Sequence, residues 1–172
     1  MKQKEGENCA SVISWSGLEI LEPRLLMSVP GTPSALGATV VDSGQITLNW
    51  TDNSTDETGF YIDQATSSDF SQGLVTNSVA ADTTTNSITG LTEGTTYYFR
   101  VRAYNNDGAS DNTAAAPATT LPAAPTALTA SSVGGNFTLN WTDNSASESG
   151  FKIYCSYNSG ASWELWDTAA AN

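Results

Sequence analysis

A short phrase occurs twice in this chain. Leu48-Asn49-Trp50-Thr51-Asp52-Asn53-Ser54 returns as Leu139-Asn140-Trp141-Thr142-Asp143-Asn144-Ser145, and Gly59-Phe60 returns as Gly150-Phe151, all at one offset of 91 residues. A self-match at a fixed period identifies the building unit before any secondary structure is assigned. A unit of this length is one small domain. The 172 residues therefore divide into a leading segment (1–28), a complete unit (29–120) and a truncated second copy (121–172).

Within the unit the apolar residues recur with period two, which is the signature of half-buried strands. Over Gln45 to Asp52, Ile46, Leu48 and Trp50 share one face. From Gly59 to Thr66, Phe60 and Ile62 do so. Thr96 to Asn105 is the strongest strand, with Tyr97, Phe99, Val101 and Ala103 on one side and Tyr98, Arg100, Arg102 and Tyr104 on the other. Further strands are expected over Ser34–Val41, Leu74–Ala80, Thr84–Ile88 and Thr113–Thr119. Turns fall at Asp42-Ser43-Gly44 and Gly90 to Thr95, and a hairpin at Asn106-Asp107-Gly108. Seven short strands in about 90 residues predict an all-β, immunoglobulin-like antiparallel sandwich. Trp50 is expected to fill the space between its sheets.

These residues resemble the fibronectin type III family. Pro33 and Leu36 match its lead-in, Trp50 its second strand, and Gly59-Phe60-Tyr61-Ile62 its third. Leu91-Thr92-Glu93-Gly94-Thr95-Thr96-Tyr97 is similar to the family's tyrosine corner, and Tyr104 to Ser110 to its last hairpin. The resemblance covers 29–120 and implies that the Tyr97 hydroxyl bonds backbone upstream. After a short linker with two prolines (119–125), the second copy restarts at Pro125 and Leu128. It runs through Phe137, Leu139, Trp141, Phe151, Ile153 and Cys155 to a turn at Asn158-Ser159-Gly160 and a strand from Trp163 to Thr168. Matches to the last three strands and the tyrosine corner do not follow. With half a sandwich, Trp141, Phe151, Ile153 and Trp163 lack an opposing sheet, so the segment is expected to be disordered or sticky through exposed apolar surface.

Six Lys and Arg stand against 18 Asp and Glu, for a net charge of −12. Residues 29–120 carry most of it, with two arginines among ten carboxylates. So acidic a chain repels phosphate, which argues against nucleic acid and anionic membranes as partners. No run approaches the ~20 apolar residues of a transmembrane helix. Cys9 and Cys155 form neither a disulfide framework nor a zinc motif. Cys155 shares a face with Phe151 and Ile153, which favours a buried, inert thiol.

The leading segment lacks a signal-peptide core, because Glu19, Glu22, Pro23 and Arg24 interrupt its apolar stretch. Leu21-Glu22-Pro23-Arg24-Leu25-Leu26-Met27-Ser28 resembles the LEPR-XLL motif found near the start of large exported bacterial proteins. The resemblance implies an exported product, extracellular or at the cell surface. The rest of the segment reads as disordered, as polar termini commonly are.

Candidate chemistry is sparse. There is no histidine, so the commonest general base and every Ser-His or Cys-His arrangement are absent. Asp52, Asp56 and Glu57 cluster in one loop, but a sandwich filled by Trp50 offers no cleft for a two-carboxylate glycosidase. The same three residues are oxygen donors of the hardness calcium takes. They are also what a turn uses for local bonds from side chain to backbone, which is the favoured reading. Ser156 to Trp163 resembles the Asp-box hairpin of sialidases and other β proteins, which implies a structural turn and no activity. Arg100 and Arg102 read as stacking on cross-strand tyrosines. No cofactor is expected, and the last hairpin carries no Arg-Gly-Asp.

The function these features favour is a non-catalytic spacer or adhesive scaffold of fibronectin type III modules in an exported bacterial surface protein. Two rivals remain. One is an accessory region of a secreted polysaccharide-degrading enzyme. The other is a module that itself binds a protein or glycan ligand. Neighbouring modules of the same chain are the remaining expected partners.

Overall fold

The computed structural model describes residues 28–171. The LEPR-XLL-like motif, apart from Ser28, and Cys9 lie outside the described residues. The first copy contains eight strands: β1 (Ser34–Val40), β2 (Gln45–Thr51), β3 (Gly59–Ala65), β4 (Val75–Ala80), β5 (Thr85–Thr89), β6 (Thr96–Asn105), β7 (Gly108–Ala109) and β8 (Ala116–Thr119). One sheet has the order β1-β2-β5. The other has the order β4-β3-β6, with β7 and β8 both pairing with the remaining edge of β6. All pairings are antiparallel. The fold is the all-β immunoglobulin-like sandwich that the alternation predicts.

The period-two faces meet between the sheets. Ile46, Leu48, Trp50 and Ile88 from one sheet bury against Phe60, Ile62, Tyr97, Phe99, Val101 and Ala103 from the other. Trp50 is 5% exposed, and its ring meets Phe60 edge-on at 5.6 Å. Each large side chain so buried contributes about 1.5–3 kcal/mol of hydrophobic stabilisation. Leu91 packs against this core half-buried. The ring of Tyr97 is buried and its hydroxyl accepts the Thr92 N–H at 3.0 Å, closing the corner that the resemblance implies.

The last strand, expected over Thr113–Thr119, is confined to β8, and a separate short β7 stands at the hairpin before it, for a local reason. The hydroxyls of Ser110 and Thr113 accept the N–H groups of Ala103 and Val101, at 3.0 and 3.1 Å. Side chains thus take ladder bonds that a continuous strand's carbonyls would take. Pro117 in β8 suits a sheet edge, where its missing N–H leaves no ladder bond unmade.

The second copy contains β9 (Thr126–Val133), β10 (Asn136–Thr142), β11 (Gly150–Cys155) and β12 (Glu164–Ala170), in two separate two-stranded sheets, β10-β9 and β11-β12. The repeat runs at two offsets. Ala35 and Ala127, 92 residues apart, both adopt φ of 54° beside a register shift in the first hairpin. After the first turn the offset becomes 91, because Gly134 and Gly135, both at positive φ, close the second hairpin more tightly.

Residues 126–170, expected to be disordered or sticky through exposed apolar surface, form two hairpins, since each needs only a local turn. Their apolar faces remain open. Phe137 is 61% exposed and Trp166 53%, where the offset equivalent of Phe137, Ile46, is 0%. Among the described residues nothing stands where β5, β6 and β8 stand in the first copy. A cleft of about 730 Å³ remains instead, lined by Leu139, Trp141, Phe151, Ile153 and Trp166 among others. Trp141 still meets Phe151, at 5.2 Å, as Trp50 meets Phe60. Cys155 is half-buried in this cleft rather than fully buried.

Candidate functional site

The loop between β2 and β3 carries the acidic residues singled out from the sequence. Asp52 accepts the Ser54 N–H at 2.9 Å, an Asx turn. Asp56 accepts the Ser54 hydroxyl at 2.6 Å. Glu57 accepts the N–H of Asp82, from the turn between β4 and β5, at 3.2 Å. The carboxylates that come together are accordingly Asp52, Glu57 and Asp82, with one oxygen from each within 4.8 Å of the others. Asp56, expected in the set, is not part of it, and Asp82, brought up by the turn between β4 and β5, takes its place.

The backbone N–H of Glu57 itself, helped by that of Asp82 and by the Ser54 and Asp52 side chains, outweighs the opposing effect of burial and holds the Glu57 carboxyl below the usual glutamate range. Glu57 Oε2 is buried without a partner, and so is Oε2 of Glu148, its equivalent at the 91-residue offset. In the second copy Asp143 repeats the Asx turn, accepting the Ser145 N–H at 3.0 Å. Asn53 and Asn144 likewise repeat one clamp: Asn53 Nδ2 donates to the Thr32 carbonyl and Ser34 hydroxyl, Asn144 Nδ2 to the Ala124 carbonyl and Thr126 hydroxyl. The loop therefore fastens each copy's lead-in to its body.

On the outer face of the β3–β6 sheet, Asp63 is 2% exposed. It accepts Arg100 Nε at 2.8 Å, Arg102 Nη1 at 2.6 Å and the Thr76 hydroxyl at 2.6 Å. Burial pushes its carboxyl up, but the Thr76 and arginine bonds outweigh that and hold it below the usual range. Arg100 lies over the Phe70 ring at 4.1 Å, and Arg102 over Tyr61 at 5.1 Å. Stacking on a cross-strand tyrosine thus holds for Arg102, while Arg100 caps a phenylalanine from the next loop. Tyr61 and Tyr104 stack at 4.1 Å, and Tyr104 passes so close to Gly59 that a β-carbon there would meet its hydroxyl at 2.9 Å. The sequence gives one signal for Asp63: an acidic residue mid-strand in a chain whose next long strand carries two arginines at alternate positions.

Two turns share one design. Asp69 accepts the hydroxyls of Ser67 and Ser71 and the Ser71 N–H, which lower its carboxyl to about 2. In the Asp-box-like hairpin, Asn158 accepts the Ser156 hydroxyl and the Ser162 N–H. Ser-x-Asp-x-Ser in the first copy is thus the counterpart of Ser-x-Asn in the second, a likeness that spacing alone obscures. All of these bonds are spent within the turns.

A family model for the fibronectin type III domain matches residues 31–119. The chain belongs to the fibronectin type III family. Its fold is similar to a two-domain fibronectin type III segment from chicken tenascin. That likeness has a TM-score of 0.56 at 18% identity and covers 81% of this chain and 78% of that one. It is similar also to the FN1–FN3 domains of chicken CNTN1, with a TM-score of 0.50 at 19% identity, over 54% of this chain and 31% of that one. At such identities these likenesses concern the fold alone. In sequence, the chain is 33% identical over 141 residues to Exoglucanase B of Cellulomonas fimi. The match covers 74% of this chain and spans 12% of that protein's length. The fibronectin type III fold makes the observed core residues sandwich residues, and its modules are in general non-catalytic. Among the described residues no helix is long and apolar enough to cross a membrane.

Proposed function

We propose that this chain is a non-catalytic stretch of fibronectin type III modules that acts as a spacer or scaffold in an exported bacterial protein. In this reading, residues 29–120 are one complete module and 121–172 a partial second. The observation that carries it is the tandem repeat joined by the short linker 119–125, which holds Pro122 and Pro125. Such a linker is semi-rigid and fixes the pitch between modules. The filled core, the turn bonds of Asp52, Asp56 and Asp69 and the cross-strand bonds of Asp63 agree with a structural role. The extracellular or surface location rests on the LEPR-XLL resemblance and on the kinship with a bacterial exoglucanase.

That kinship favours a second reading, in which the stretch is an accessory region of a secreted polysaccharide-degrading enzyme. The matched region is a small part of Exoglucanase B, as an accessory module would be. A protein or glycan ligand is a weaker reading, because Tyr61 and Tyr104 cover each other and Arg102 covers Tyr61. Incubating residues 1–172 with insoluble cellulose and soluble polysaccharides tests the proposal. Neither retention on the polymer nor release of reducing sugar is expected. Retention that Tyr61→Ala abolishes would assign a binding module instead. Reading the gene past residue 172 separates scaffold from enzyme accessory: further repeats support the former, a catalytic domain the latter.

A further inference from the structure

We infer that the turn Leu91–Thr95 is a docking surface for the following module, and that Glu93 is its pin. The inference rests on the spacer reading and adds the contact that sets the pitch. Glu93 Oε2 accepts the N–H of Ala123, in the linker, at 2.6 Å. Its other oxygen, Oε1, accepts the N–H of Ala146 at 2.8 Å. Ala146 lies in the loop between β10 and β11, so one carboxylate ties the first module to both the linker and the next module's upper loop. Charge-assisted bonds of this kind are the stronger class of hydrogen bond.

The turn is held ready for this contact from within its own module. Thr92 donates its N–H to the Tyr97 hydroxyl. Thr120, 2% exposed, donates its hydroxyl to the Thr92 carbonyl at 2.6 Å and accepts the Thr95 N–H at 3.1 Å. Thr95 Oγ1 donates to the carbonyl of Glu93 itself at 2.9 Å. Gly94, at φ of 58°, leaves room for the incoming loop: a β-carbon there would collide with the Ser147 Cβ. The tyrosine corner thus aims Glu93, and Gly94 clears its path.

The surface is selective for its partner. Position 147 is serine in the second copy, but its equivalent at the 91-residue offset in the first is Asp56, beside Glu57. The same Glu93 turn offered to the first module's upper loop would set carboxylate against carboxylate, which is unfavourable. The partner that fits is a fibronectin type III module whose upper loop offers free N–H groups and a small neutral residue at that place. On the docked loop Asp143 and Glu148 are the titratable groups, and the linker carries none.

NMR of the 172-residue chain tests this. The amide protons of Ala123 and Ala146 should titrate together with the Glu93 carboxyl, at a midpoint below the usual glutamate value, as its backbone bonds lower it. In Glu93→Gln both titrations should vanish and both amides should exchange about tenfold faster or more. Gly94→Ala should release Ala146, while Trp50 and Phe99 amides stay protected as a check that the first module is folded. Amides that titrate separately, or that ignore Glu93→Gln, would overturn the pin. Residual dipolar couplings separate this from the spacer reading. One alignment frame for both modules in the native chain that becomes two in Glu93→Gln supports both. One frame retained in the variant removes the pin and keeps the spacer. Two frames in the native chain remove the fixed pitch altogether.

Discussion

The two copies use nearly the same words on β2–β3 and β10–β11 and reach different states. Leu48 and Phe60 are fully buried, while Leu139 and Phe151 are only half-buried, and Phe137 stands open where Ile46 is closed. The strand sequences do not account for this. What differs is that β5 widens one sheet of the first copy and β6 and β8 the other, while among the described residues no counterparts widen the two hairpin sheets of the second, which meet through Trp141–Phe151 and Phe137–Trp166 alone. A period-two apolar face specifies which side is to be buried, and the covering sheet supplies the burial. The stability of the repeat therefore resides in the pairing of two sheets, and the hairpins are its precursors.

The largest expected effect is on the tryptophans. Trp50→Ala should cost about 3–5 kcal/mol, from lost burial and the cavity left behind. That is a large share of the roughly 5–15 kcal/mol a small domain possesses. Trp141→Ala should move the main urea transition by less than about 0.5 kcal/mol. Equal costs in the two melts would break the comparison.

Next comes Asp63, whose charge is shared by two arginines that remain about a quarter exposed. Asp63→Asn should cost about 1.5–3 kcal/mol, the range for bonds to charged groups. The second copy has no such network, since its offset equivalent of Asp63 is Tyr154. The acid limb sharpens the point. A carboxyl whose folded pKa lies below its unfolded value of about 3.9 contributes fully above that value. The contribution fades as pH falls through the folded pKa. An acid titration of the first module should lose a step below about pH 4 in Asp63→Asn. An unchanged acid limb would show that Asp63 is not held low.

Tyr97→Phe should cost about 0.5–1.5 kcal/mol, one net hydrogen bond, with the ring's packing retained. Its effect should reach the second copy too, by loosening the turn that presents Glu93. An invariant Ala146 amide would detach the corner from the joint. The smallest expected effect is that of calcium. If Asp52, Glu57 and Asp82 only cap turns, millimolar calcium leaves the melting temperature unchanged. A site at a hundredfold excess of ligand over Kd would add about 2.7 kcal/mol. A rise that Asp82→Asn abolishes would make the cluster a binding site and the turn reading wrong.

Strands β2, β3 and β6 are legible in the sequence to within a residue, because alternation of large apolar side chains is a local signal. The shortening of the closing strand to β8, with β7 a separate piece at the hairpin, is not, since it depends on the Ser110 and Thr113 hydroxyls meeting β6 across the sheet edge. Asp82 and Glu93 escaped as partners for a similar reason. Each acts on a group at least 25 residues away, and nothing in a five-residue turn announces where its carboxylate points. Asp52 and Glu57 are legible as a loop pair, but nothing in the sequence separates Asp56 from them, and the set is settled by Asp82 from a distant turn. In the second copy, expected to be disordered or sticky through exposed apolar surface, hairpins with open apolar faces form because Gly134-Gly135 and Ser159-Gly160 supply local turns.

Amide hydrogen exchange on the 172-residue chain tests the central claim most directly. If burial comes from the covering strands, the amides of Trp50 and Phe99 exchange only through global opening, about a thousandfold or more slower than those of Trp141 and Ile153. Comparable protection in both copies would contradict the account and show that the hairpins of the second copy carry a stability the covering sheet does not supply.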